Sequence, residues 1–98
     1  MFGITQNTIN ELKAIFNRYD AIEEVIIYGS RAKGNFREGS DIDLTIKGNI
    51  EKKDLMKIMD DIEESYIPYL FDISIYNQLN SESLKGHINR VGKVFYKK

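Results

Sequence analysis

The sequence contains no cysteine, one histidine and one proline among its 98 residues. Without cysteine, neither a disulfide framework nor a thiolate zinc site is available. No apolar run approaches the roughly 20 residues that a membrane span requires. The N-terminus shows no basic, apolar, small-residue signal pattern, so cytoplasm is the expected compartment. Charge of one sign is also lacking: 14 basic against 15 acidic residues leave a formal net charge of −1. That balance argues against a general binder of nucleic acid or anionic membrane. There is no internal repeat, low-complexity segment or linker, so residues 1–98 read as a single domain with a modest core. What remains is ordinary for a globular chain, 42% hydrophobic and 30% charged.

One stretch organises the rest, Tyr28-Gly-Ser-Arg-Ala-Lys-Gly-Asn-Phe-Arg-Glu-Gly-Ser-Asp-Ile-Asp-Leu44. Gly29 lets the backbone approach a ligand because no side chain intervenes. If Ser30 opens a short helix, its amide and hydroxyl direct donors at an anion. Asp41 and Asp43 are two residues apart in a strand-like segment, so both carboxylates project from one face. Two such carboxylates repel unless a cation lies between them, and hard oxygen ligands suit Mg²⁺. Phosphate cradle and carboxylate pair together read as metal-assisted phosphoryl or nucleotidyl transfer.

In chain order, residues 5–19 predict a first helix, with Thr8 and Glu11 as a capping box and Ile9, Leu12, Phe16 and Tyr19 at helical spacing. Residues 24–28 are β-branched and apolar on both faces, the mark of a covered central strand. Residues 41–46 make a second strand, with Ile42, Leu44 and Ile46 opposite Asp41, Asp43 and Thr45. Gly48 and Asn49 turn the chain, Asn49 serving as a helix cap. A second helix over residues 51–65 presents Leu55, Ile58, Met59 and Ile62. Pro68 stops anything helical near it.

Residues 70–76 alternate again, Phe71, Ile73 and Ile75 against Asp72, Ser74 and Tyr76. If this strand lies beside the second with apolar sets on a shared face, Asp72 joins Asp41 and Asp43. A last helix from about Ser81 to Val91 presents Leu84, Ile88 and Val91, Gly92 stops it, and residues 94–96 add an edge strand. His87 reads as a helix-edge residue. The expected fold class is α+β, a small mixed β-sheet with helices packed on one face and three carboxylates on the other.

Gly29-Ser30, ten residues, then Asp41-Ile42-Asp43 resembles the signature of the polymerase-beta-like nucleotidyltransferase superfamily. Its short form here, Gly29-Ser30-Arg31-Ala32-Lys33-Gly34 followed by Ser40-Asp41-Ile42-Asp43-Leu44, is similar to the minimal nucleotidyltransferases, antitoxins of HEPN–MNT toxin–antitoxin pairs. The resemblance covers most of the chain. It implies that Asp41, Asp43 and Asp72 are catalytic and hold two Mg²⁺ ions. It implies that Gly29 and Ser30 hold the β- and γ-phosphates of ATP, with Arg31 and Ser40 completing the nucleotide-binding set. The implied reaction is transfer of AMP from ATP to a tyrosine of a HEPN RNase toxin, which neutralises the toxin.

Two other functions compete. One is a non-catalytic antitoxin that binds and occludes its toxin. The other is small-molecule transfer of the aminoglycoside-modifying type, disfavoured because no residues are left to build a second-substrate domain. The site is therefore expected to be completed by a protein partner or a homodimer. Arg31 is the preferred phosphate ligand among the nearby cations, being closest to the cradle and able to bind bidentately. Lys33 and Arg37 read as surface or partner-contact residues. Tyr66, Tyr69 and Tyr76 lie near the acidic strand as residues that line a nucleotide or partner surface.

Overall fold

Ile22–Tyr28, whose run Val25–Tyr28 is apolar on both faces, is the strand on which the sheet is built. The computed structural model describes residues 2–37 and 39–98. Its elements are α1 (Gln6–Phe16), β1 (Ile22–Tyr28), α2 (Ser30–Lys33), β2 (Ile42–Gly48), α3 (Lys52–Glu64), β3 (Phe71–Ile75), a 3₁₀ turn (Tyr76–Gln78), α4 (Glu82–Val91) and β4 (Lys93–Lys97). The four strands form one mixed sheet in the order β3-β2-β1-β4. β1 runs antiparallel to both neighbours, and β2 runs parallel to β3 through the α3 crossover. Among the described residues, no helix is long and apolar enough to cross a membrane.

Helices α1 and α3 cover one face of the sheet. Ile9, Leu12, Ile15 and Phe16 of α1 and Ile58 and Ile62 of α3 join Val25, Ile27, Ile42, Leu44, Ile46, Ile73, Ile75 and Phe95 in the main core. Leu55 packs at its border, and Met59, 45% exposed, lies off the stripe predicted for it. The alternate side chains of β1, Ile26 and Tyr28, face the other way. They pack with Ile88 of α4 and with Tyr76, Leu79, Leu84 and Val91. So α4 adds a partial third layer, because a strand apolar on both faces needs cover on both.

Helix starts follow local hydrogen bonds and the needs of the core. Thr5, rather than Thr8, caps α1: its hydroxyl accepts from the Thr8 amide at 3.3 Å. Thr8 itself is buried against the core, so it lies inside the first turn. α3 starts after Glu51, whose amide donates to Asp54 Oδ2 at 3.0 Å. Asn49 does not cap it, because Ile50 must first enter the core. Ser81 caps α4 as its position predicts, its hydroxyl accepting from the Leu84 amide at 3.1 Å.

Candidate active site

The site begins where β1 runs out. Gly29 has φ 79° and ψ −156°, a conformation open to glycine and strained for other residues. A Cβ added there would collide with the Asp43 carboxylate, so loop and carboxylate are in direct contact. Ser30 opens α2, whose first intrahelical bond runs from the Lys33 amide to the Gly29 carbonyl at 3.2 Å. The amides of Ser30, Arg31 and Ala32 precede that bond and have no acceptor within the helix. Gly34, at φ 85°, ends the helix after one turn.

Strand register delivers the carboxylates. Asp43 is opposite Tyr28 across the antiparallel ladder and opposite Asp72 across the parallel one. Parity therefore puts Asp43 and Asp72 side by side on the face away from the main core. Asp41 stands exposed just before β2. Burial first, then the charge of Asp72 and then that of Asp41, hold the Asp43 carboxyl above the usual carboxylate range. Among the described residues, none of the three aspartates has an ion-pair partner. Among the described residues, no three carboxylate or imidazole groups are gathered closely enough to cage a metal ion as they stand.

Three further residues share this face: Thr45 and Ser74, which strand parity places there without giving them a role, and Tyr28. On the next rung Thr45 pairs with Ser74, and the Ser74 hydroxyl donates to Thr45 Oγ1 at 3.0 Å. Tyr28 closes the floor from β1. Its phenol is shifted upward by burial, with smaller contributions of the same sign from Asp72 and Asp43 and an opposing one from the Ser74 hydroxyl.

Arg31 departs from its expected role. Its side chain is 3% exposed and turned away from the cradle. Nε and Nη2 donate to the Ser40 carbonyl at 3.1 and 2.8 Å, and Nη1 donates to the carbonyls of Phe2 and Gly3 at 2.9 and 3.3 Å. The rings of Phe36 and Tyr69 lie 5.1 and 5.3 Å from the guanidinium carbon. With its donors committed to backbone, it is placed to hold chain segments rather than phosphate.

Ser40 is likewise committed to its own turn. Its hydroxyl accepts from the Arg37 amide at 2.9 Å, and its amide donates to the Arg37 carbonyl at 3.0 Å. Lys33 and Arg37 are exposed, and His87 is half-buried on α4. The three tyrosines separate: Tyr69 packs on Arg31, Tyr76 lies beside Lys47 and Lys85, and Tyr66 is 91% exposed after α3. A cleft of about 800 Å³ behind Arg31, lined by Phe36, Ser40, Tyr69 and Leu70, has neither Asp43 nor Asp72 in its wall.

A family model described as polymerase beta, nucleotidyltransferase, matches residues 10–98. The chain belongs to the polymerase beta nucleotidyltransferase family. As a member of this family, it is a nucleotidyltransferase. No curated protein matches it by sequence. Its fold is that of chains in solved toxin–antitoxin complexes. One, crystallised with AMP-PNP, is 15% identical with a TM-score of 0.73, over 97% of this chain and 75% of the other. A chain of the MntA–HepT complex is 12% identical with a TM-score of 0.69, over 96% and 74%. A third comes from the tri-AMPylated HEPN toxin of Shewanella oneidensis in complex with its MNT antitoxin. It is 12% identical with a TM-score of 0.68, over 95% and 72%.

Proposed function

We propose that this nucleotidyltransferase is the antitoxin of a HEPN–MNT pair, and that it transfers AMP from ATP to a tyrosine hydroxyl of its toxin. The observation that carries the reading is the carboxylate group. Burial, then the charges of Asp72 and Asp41, hold Asp43 above its usual range, without an ion-pair partner among the described residues, against a glycine loop that only a side-chain-free residue can form. Uncompensated carboxylate oxygens are hard ligands of the type that suits Mg²⁺, although the three must draw closer than they stand to hold it. Asp41, Asp43 and Asp72 would hold it, and it would neutralise charge on the attacking and leaving oxygens.

The chain's own residues do the rest. Gly29 admits the phosphates close to backbone, and the amides of Ser30 to Ala32 donate to them. Asp72, on the edge strand β3, is the more exposed partner of Asp43, which supports its acting as acceptor of the proton of an incoming hydroxyl. Ser40 contributes by ordering the turn that leads into Asp41. The AMP-PNP complex and the AMPylated HEPN toxin among the structural neighbours support an adenine nucleotide and a toxin as acceptor.

The test is intact mass of a HEPN toxin encoded beside this chain, co-expressed with wild type and with Asp41→Ala/Asp43→Ala. Addition of one or more AMP units that disappears in the variant supports the reading. An unmodified toxin in a stable complex, with protection of cells retained by the variant, means neutralisation by occlusion.

A further inference from the structure

The structure assigns Arg31 a positioning role: it is the clamp that sets Asp41 and Asp72, fastening the N-terminal residues to the two loops from which β2 and β3 start. Three segments meet on this one side chain. Its fork grips the carbonyl of Ser40, the residue immediately before Asp41, through two donors. Its remaining nitrogen holds Phe2 and Gly3. The guanidinium also lies over the rings of Phe36, from the loop before β2, and Tyr69, from the loop before β3. The loops are also joined directly, the Ile42 amide donating to the Leu70 carbonyl at 2.8 Å. Asp41 and Asp72 are the residues next to Ile42 and two beyond Leu70, so a shift of this knot moves both carboxylates.

The guanidinium is buried among neutral acceptors, with no carboxylate in ion-pair contact among the described residues. A buried cation without a counter-ion is costly unless its donors are satisfied, and here backbone carbonyls and ring faces satisfy them. Lysine cannot reproduce this, since it has neither the planar fork nor the stacking surface. Gly3 belongs to the same device. At φ +70° it lies so close to Phe36 that a Cβ would collide with the ring, and close to Arg31 Nη1 as well.

This inference rests on the proposed reading of Asp41 and Asp72 as metal ligands, and its test separates the two. Mn²⁺ binding, followed by electron paramagnetic resonance without nucleotide, is compared for wild type, Arg31→Lys and Gly3→Ala, each first shown to unfold cooperatively. Loss of a group hydrogen-bonded to a metal ligand weakens a site by about 10–100-fold, and Arg31, which acts one residue away through the Ser40 carbonyl, belongs at the low end of that range. Both variants should show a weakening in that range, although one keeps the positive charge and the other keeps the arginine. ATP affinity without metal should stay at the wild-type value. Metal binding unchanged in Gly3→Ala would overturn the clamp, whether or not Arg31→Lys folds. Reduced metal-free ATP affinity in Arg31→Lys alone would also overturn it, returning Arg31 to the phosphate. A wild type that binds no Mn²⁺ would instead remove the ligand reading beneath it.

Discussion

On the proposed reading, Asp43 is a residue at which function and stability oppose each other. Its carboxyl is raised by burial and by Asp72 and Asp41, so the fold favours the protonated form. The sign follows from linkage. A folded-state value above the unfolded one means that stability contributed by the protonated acid is present at low pH and lost as pH rises through the raised value. At neutral pH and without divalent cation, Asp43→Asn should therefore raise the melting temperature. The same variant should lower transfer by more than the roughly 100-fold that loss of an outer-shell partner costs. Calorimetry without metal and single-turnover transfer check the two halves, and a lowered melting temperature would contradict the first. Gly29 makes the complementary case. Gly29→Ala combines a strained positive φ with a collision against Asp43. It should cost about 1–3 kcal/mol in denaturant unfolding and weaken divalent-ion binding, because the carboxylate must move aside.

Between elements, the contact that ties the turn after α1 to α3 is polar. Tyr19 donates its hydroxyl to Asp61 Oδ2 at 2.6 Å, and burial followed by this bond raises the phenol to about 12. Raised above the ordinary tyrosine value of 10, it stabilises the fold fully below that pH and progressively less toward 12. Tyr19→Phe should destabilise by about 1 kcal/mol near neutral pH. Urea midpoints of the two proteins should converge as pH rises above about 10. Strand parity is where the elements were most legible, since alternation in residues 42–46 and 71–75 is enough to put Asp43 beside Asp72. Helix starts were less so. Thr5 and Thr8 offer the same hydroxyl, and only the burial of Thr8 decides which of them caps. The Arg31 clamp was not legible at all, because it depends on Phe2, Gly3, Phe36 and Tyr69, which meet only after the chain has folded.

At the scale of the whole molecule, the two faces of the sheet are treated unequally. One is sealed by α1 and α3; on the other, α4 packs over Ile26 and Tyr28. The sequence predicts helices on one face only; α4 departs from that, because Ile26 and Tyr28 on the other side of β1 also need cover. A chain of 98 residues buries a small core, so its own stability is modest and ligand binding should weigh heavily on it. A ligand at 100 times its dissociation constant adds about 2.7 kcal/mol, and each kcal/mol moves the midpoint of a domain this size by roughly 4–8 °C. Mg²⁺ with a non-hydrolysable ATP analogue at that excess should thus raise the wild-type melting temperature by about 10–20 °C. Asp43→Asn should lose most of that shift despite starting from a more stable apo state. Equal shifts in both proteins would mean that the nucleotide is held by Gly29 and Ser30 without help from the carboxylates, and that Asp43 serves the chemical step alone.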